Sequence, residues 1–131
     1  MKVYISGKIG EEVLSEATRE KFAEAEKLLQ SRGFETFNPT TSGLGRHAES
    51  IAKAEGTTFY EEIMVLDIIK LKECDAIYML ADFLSSPGAK AEHALAIAFK
   101  KKVYYADELF ENGTLHSEYN QEHILPKNKC Y

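Results

Sequence analysis

Four short apolar runs, separated by stretches of helical period, constrain this chain more than any other feature. Val3-Tyr4-Ile5, Phe34 to Phe37, Asp75 to Leu80 and Lys102 to Tyr105 are rich in β-branched and aromatic residues, and the first two stop at Ser6-Gly7 and Asn38-Pro39. Between them, Ala17 to Leu29 places Ala17, Phe22, Ala25, Leu28 and Leu29 close to a 3.6-residue repeat. Tyr60 to Leu71 does the same through Tyr60, Ile63, Met64, Ile68 and Leu71, and Pro87 to Lys100 forms a further helix. Strands that alternate with helices predict a parallel sheet covered on both faces. Near-continuous apolar strands agree with that double burial. The expected architecture is therefore α/β, a three-layer sandwich of flavodoxin-like or Rossmann-like form with a central parallel sheet of four to five strands.

Gly33 suits the residue just past the end of the first helix. Thr40 to Gly56 is polar and rich in Gly, Ser and Thr, so it reads as a long loop with one helical turn around Ala48 to Ala54. Residues 1–106 form the expected domain, and 107–131 an irregular C-terminal tail that reads either as disordered or as an arm packed on a partner subunit.

A chain of 131 residues suffices for one domain with a real core. The net charge of -5, with no basic run longer than Lys100-Lys101-Lys102, argues against a nucleic-acid partner. No apolar run approaches the roughly 18 residues of a membrane span, and Met1 to Ile5 turns polar too soon for a signal peptide. Cys74 and Cys130 lack metal-ligand spacing, which suits a reducing cytoplasm, with Cys74 a structural thiol beside a buried strand. His47, His93, His116 and His123 share no metal-site spacing and read as surface histidines. The expectation is a cytoplasmic protein with no metal in its site.

In an open parallel sheet, ligands bind beyond the carboxyl ends of the strands. The first strand delivers Tyr4, Ser6, Gly7, Lys8 and Gly10 to that edge, and the second delivers Asn38 and Pro39. The third delivers Asp82, Ser85, Ser86, Gly88 and Glu92. Ser6-Gly7-Lys8-Ile9-Gly10 reads equally as a plain turn or as amides offered to an anion, and it matches neither the dinucleotide fingerprint nor the triphosphate loop. Ser86-Pro87-Gly88 carries the marks of a helix N-terminus, with Ser86 as N-cap and Pro87 at the first position. Such an end also binds phosphates. Glu92, one turn in, reads either as a dipole-stabilised first-turn acid or as a nucleophile. Asp67 falls in an apolar phase of its helix, so it needs a partner or a pocket.

These segments together are Tyr4-Ile5-Ser6-Gly7, Phe37-Asn38-Pro39, the run from Asp67 through Leu80, and Ser86-Pro87-Gly88-Ala89 with Glu92-His93-Ala94-Leu95-Ala96. The combination resembles the nucleoside 2-deoxyribosyltransferase-like superfamily, and more narrowly its branch known as domain of unknown function 4406. The resemblance covers about residues 1–106. It implies chemistry at an N-glycosidic bond without a metal or organic cofactor, on a small nucleoside or nucleotide. By resemblance, Glu92 attacks the anomeric carbon, Tyr4 lies beside it, and Asp67 binds the substrate or protonates the base. Ser6, Gly7, Ser86 and Gly88 are then expected to hold the sugar-phosphate. Relatives that transfer deoxyribose tend to carry aspartate at the position of Ser86, which favours a nucleotide over a free nucleoside. Lys8 replaces a proline or small residue in the first loop, and Pro87 removes one amide from the phosphate site. The resemblance also implies a homodimer or higher homo-oligomer whose neighbouring subunit completes the pocket. The alternative reading is a non-catalytic nucleotide-binding or sensor protein of the same fold.

Overall fold

The computed structural model describes residues 1–9 and 14–106. Gly10, Cys130 and the expected tail at 107–131 lie outside the described residues. The elements run β1 (Lys2–Ser6), α1 (Glu16–Ser31), β2 (Glu35–Phe37), α2 (Leu44–Glu55), α3 (Phe59–Glu73), β3 (Ala76–Met79), α4 (Pro87–Ala98) and β4 (Lys102–Tyr105). One-turn 3₁₀ segments, Pro39–Thr41 and Phe83–Ser85, follow β2 and β3.

All strand pairs are parallel, in the order β2-β1-β3-β4. Tyr4 lies opposite Phe37 on one side and Ile77 on the other, which fixes the register of β1. Because side chains alternate across a strand, the sheet feeds two cores. Val3, Ile5, Ala76, Tyr78 and Tyr104 pack with Phe22, Ala25 and Leu29 of α1. Tyr4, Ile77, Met79, Val103 and Tyr105 pack with Leu71 of α3 and with Ala89 and Ala96 of α4. The expected sandwich is therefore present, with four strands among the described residues.

The helix ends follow local chemistry. Ser15 Oγ accepts the Thr18 N–H at the start of α1. At its end Gly33 takes φ 87°, Gly33 N–H reaches Gln30 O, and Phe34 N–H reaches Leu29 O. This paired closure needs a left-handed residue, and glycine supplies it without strain. Thr58 and Glu61 form a reciprocal capping box on α3.

One expectation fails. Residues 44–55 are a full helix rather than a loop with one turn. Leu44, Ala48, Ile51, Ala52 and Glu55 carry a helical repeat, and Ala48 and Ala52 are buried. Its start has no side-chain cap, because Gly43 occupies the N-cap at φ 77°. His93 also departs from a surface histidine. It is partly buried, its Nε2 lies 2.7 Å from the Tyr105 hydroxyl, and its ring packs against Phe83 with centroids 5.0 Å apart. Cys74 is buried, and burial is the main reason its thiol is pushed up to about 11. No described helix is long and apolar enough to cross a membrane.

Candidate active site

The strand order reverses direction between β1 and β3, and at such a switch point the two following loops part to leave a crevice. Three elements meet there. β1 ends at Ser6, β3 leads through the 3₁₀ turn into α4, and α3 passes alongside.

Glu92 is the centre. It sits in the second turn of α4, whose start is set by Ser86 Oγ accepting the Ala89 N–H at 3.2 Å and by Pro87 at the first position. The Tyr4 hydroxyl donates to Glu92 Oε2 at 2.5 Å, and Ser6 Oγ donates to Oε1 at 2.6 Å. Both donors come from β1, where Tyr4 and Ser6 alternate onto the same face. Tyr4 is itself fixed by stacking on Phe37, with centroids 5.1 Å apart and planes at 17°. The carboxylate is thus held at both oxygens and still has lone pairs free.

Burial raises the Glu92 carboxyl above its ordinary range, while the Ser6 and Tyr4 hydrogen bonds pull against that rise. The Tyr4 phenol is raised well above its usual value, first by burial and then by the Glu92 charge, so Tyr4 stays a donor. Asp67, on the buried face of α3, is pushed up to about 8 by burial and then by Glu92. Its Oδ1 is buried with no hydrogen-bond partner among the described residues. Burial therefore favours the protonated form of both acids, and at Glu92 the Tyr4 and Ser6 hydrogen bonds oppose it.

Asp67 and Glu92, each 6% exposed, both line a cavity of about 550 Å³. Gly7, Ser86, Gly88 and Ala89 form the wall nearest Glu92. Ile63 and Met64 of α3 add apolar surface, and Thr40, Gly43, Gly45 and Arg46 close the end at α2. Gly7 serves packing as well as access. A Cβ there would lie 2.7 Å from Leu80 Cδ1, so only glycine lets the end of β1 approach β3 this closely. At Gly88 a Cβ would meet the Tyr60 hydroxyl at 3.1 Å.

Of the residues expected at the site, Glu92, Asp67, Gly7, Ser86 and Gly88 line the cavity. Tyr4 and Ser6 lie beneath it, joined through Glu92. Three others are placed elsewhere. Asp82 pairs with Lys21 of α1 at 2.5 Å and accepts the Lys8 N–H at 3.0 Å, while Lys21 also donates to Lys8 O at 2.7 Å. Partial burial alone pushes Asp82 up, but Lys21 and the Lys8 amide outweigh it and hold the carboxyl below its ordinary value. Lys8 and Asp82 therefore brace the first loop from its α1 side. Asn38 caps the 3₁₀ turn, its Oδ1 accepting the Thr40 N–H at 2.9 Å and its Nδ2 donating to Glu26. Sequence reasoning missed Thr40, Arg46, Phe59, Tyr60, Ile63 and Met64. The residues on α3 were legible as helix, and their place in a cavity depended on seeing α2. Among the described residues, no group of three or more His, Cys, Asp or Glu is arranged to hold a metal ion.

The sheet order and the buried carboxylate at its switch point define an α/β protein with a parallel sheet and a candidate site beyond the carboxyl ends of its strands. The chain belongs to the family described as Domain of unknown function (DUF4406), whose model matches residues 1–105. Among solved structures it is similar to the 2-deoxyribosyltransferase of the psychrotolerant bacterium Bacillus psychrosaccharolyticus. That pair is 15% identical with a TM-score of 0.57, covering 100% of this chain and 93% of that one. A looser overlap links it to the CMP N-glycosidase BcmB of Clostridium botulinum, at 17% identity and a TM-score of 0.46, covering 84% of this chain and 75% of that one. At 15% identity the likeness to the first is one of fold. No curated protein matches the chain significantly.

Proposed function

We propose that the protein cleaves the N-glycosidic bond of a small nucleoside or nucleotide, with Glu92 as nucleophile. The observation that carries this reading is the pair of buried acids in one cavity. Glu92 is held by two donors, and Asp67 has an oxygen with no partner. Cleaving this bond needs an anion to meet the positive charge that builds at the anomeric carbon, and an acid to neutralise the departing base. Donors at both Glu92 oxygens favour its charged form and suit the nucleophile, while the rise at Asp67 suits the acid.

In this reading Glu92 attacks the anomeric carbon, the bond to the base breaks, and the Asp67 proton goes to the base. A sugar ester on Glu92 results. Water or a second base then releases the sugar, and the two outcomes are hydrolysis and transfer. Tyr4 and Ser6 hold the Glu92 oxygens, while Gly7, Ser86 and Gly88 bind the sugar and any 5′-phosphate. The fold shared with a 2-deoxyribosyltransferase supports the assignment.

The same cavity without turnover would be that of a nucleotide sensor, and one experiment separates the two. Acid-quenched protein mixed with nucleosides and nucleoside 5′-monophosphates is examined by mass spectrometry. An added sugar mass on the peptide containing Glu92 supports the enzyme. Tight binding with no adduct and no free base supports the sensor. We also propose a homodimer, in which the outward face of α3, with Val65 54% and Ile69 47% exposed, meets a second copy.

A further inference from the structure

We propose that Arg46 reads the edge of the nucleobase remote from the sugar, selecting bases that carry an oxo group there over bases that carry an amino group. The inference rests on the glycosidic reading for one point only, the sugar carbon placed at Glu92.

From that point the path of the base follows from the walls of the cavity. The bond to be cut runs from Glu92 towards the acid that protonates the base, and Asp67 lies on α3. The sugar then extends the other way, towards Ser86 and Gly88 at the start of α4. The flat body of the base lies along the α3 wall, and its far edge meets α2. The first turn of α2 packs on the start of α3, since a Cβ on Gly45 would lie 3.9 Å from the Phe59 ring.

Arg46 belongs to that first turn and is the one cationic residue lining the cavity among the described residues. It is exposed and has no ion pair among the described residues. A guanidinium has five N–H donors and no acceptor. The helix end adds donor character, because Gly43 carries no capping side chain and the positive end of the helix dipole faces the same space. Asp67, whose Oδ1 has no partner among the described residues, is a further polar group of the same cavity, nearer the bond to be cut.

A wall of donors recognises acceptors. The 6-oxopurines offer O6 and N7 on one edge, and the 4-oxopyrimidines offer O4. Adenine and cytosine place an amino group at the corresponding position, donor against donor, and offer Arg46 no acceptor there.

The test is calorimetric binding to Glu92→Gln protein, with Arg46 intact or changed to Ala or Glu. The ligands are inosine, uridine, adenosine and cytidine, each also as its 5′-monophosphate. With Arg46 intact, inosine and uridine should bind about tenfold to a hundredfold more tightly than adenosine and cytidine. Arg46→Ala should remove that preference, and Arg46→Glu should reverse it. Three results would overturn the proposal. One is a preference unchanged in Arg46→Ala. A second is equal weakening of every 5′-monophosphate with nucleosides untouched, which would place the guanidinium on the phosphate. The third is no base preference, or no binding at all, by folded protein with Arg46 intact. Turnover is not read here, so an oxo preference without base release by the wild type would sink the glycosidic reading and leave this one standing.

Discussion

Asp67 and Glu92 share one cavity, so a proton on either is felt by the other. Hydrogen bonds from Tyr4 and Ser6 favour the charged form of Glu92, while Asp67 Oδ1 has no partner among the described residues. In the proposed mechanism, turnover requires Glu92 charged and Asp67 protonated. The rate should therefore rise with pH through the raised Glu92 value and fall as Asp67 ionises near pH 8. In Asp67→Asn the alkaline fall should disappear, together with most of the rate for poor leaving groups. In Tyr4→Phe, Glu92 loses a bond that lowers its pKa, so the acid limb of the kcat/KM profile should move to higher pH. The same Asp67 links pH to stability. Its folded pKa of about 8 lies above its ordinary 3.8, so the folded chain binds this proton more tightly. The stabilisation is complete below the ordinary value and is lost as pH rises through the folded one. A melting-temperature series from pH 5 to pH 9 should decline less steeply for Asp67→Asn than for wild type.

At the level of elements, the parts that could be read from the sequence were those with strong local chemistry. Ser86 and Pro87 mark the start of α4, Gly33 ends α1, and apolar runs mark the strands. Once β1 and α4 are placed, Tyr4, Ser6 and Glu92 come together, because alternation on a strand and one turn of helix leave little freedom. The misreadings have equally definite causes. The helical repeat of α2 was hidden by Gly43, Gly45 and a polar composition, and with it went the wall that carries Arg46. Lys8 and Asp82 do end up near each other, but Lys21 of α1 holds them, and no sequence spacing announces that contact. Asn38 is occupied by its own turn. Gly7 gives an element-scale prediction. Gly7→Ala forces a methyl group against Leu80 and should cost about 1–3 kcal/mol in denaturant unfolding. Thr58→Ala, which removes the capping box of α3, should cost about 1 kcal/mol and leave base preference unchanged.

Across the whole molecule, a four-stranded sheet carries α1 on one face and α3 and α4 on the other, with α2 packed against α3, and the crevice opens where the strand order turns. Val65 and Ile69 stand on the outer side of α3, one helix surface away from Asp67. Sedimentation should return the mass of a dimer, and Ile69→Lys should shift it towards the monomer. The central claim is chemical, and the most direct measurement is release of free base from nucleosides and nucleoside 5′-monophosphates by wild type and Glu92→Gln side by side. The account predicts release by the wild type and none by the variant, with the variant still binding the same substrate. No release by folded wild type from any substrate, or equal release by the variant, would contradict it.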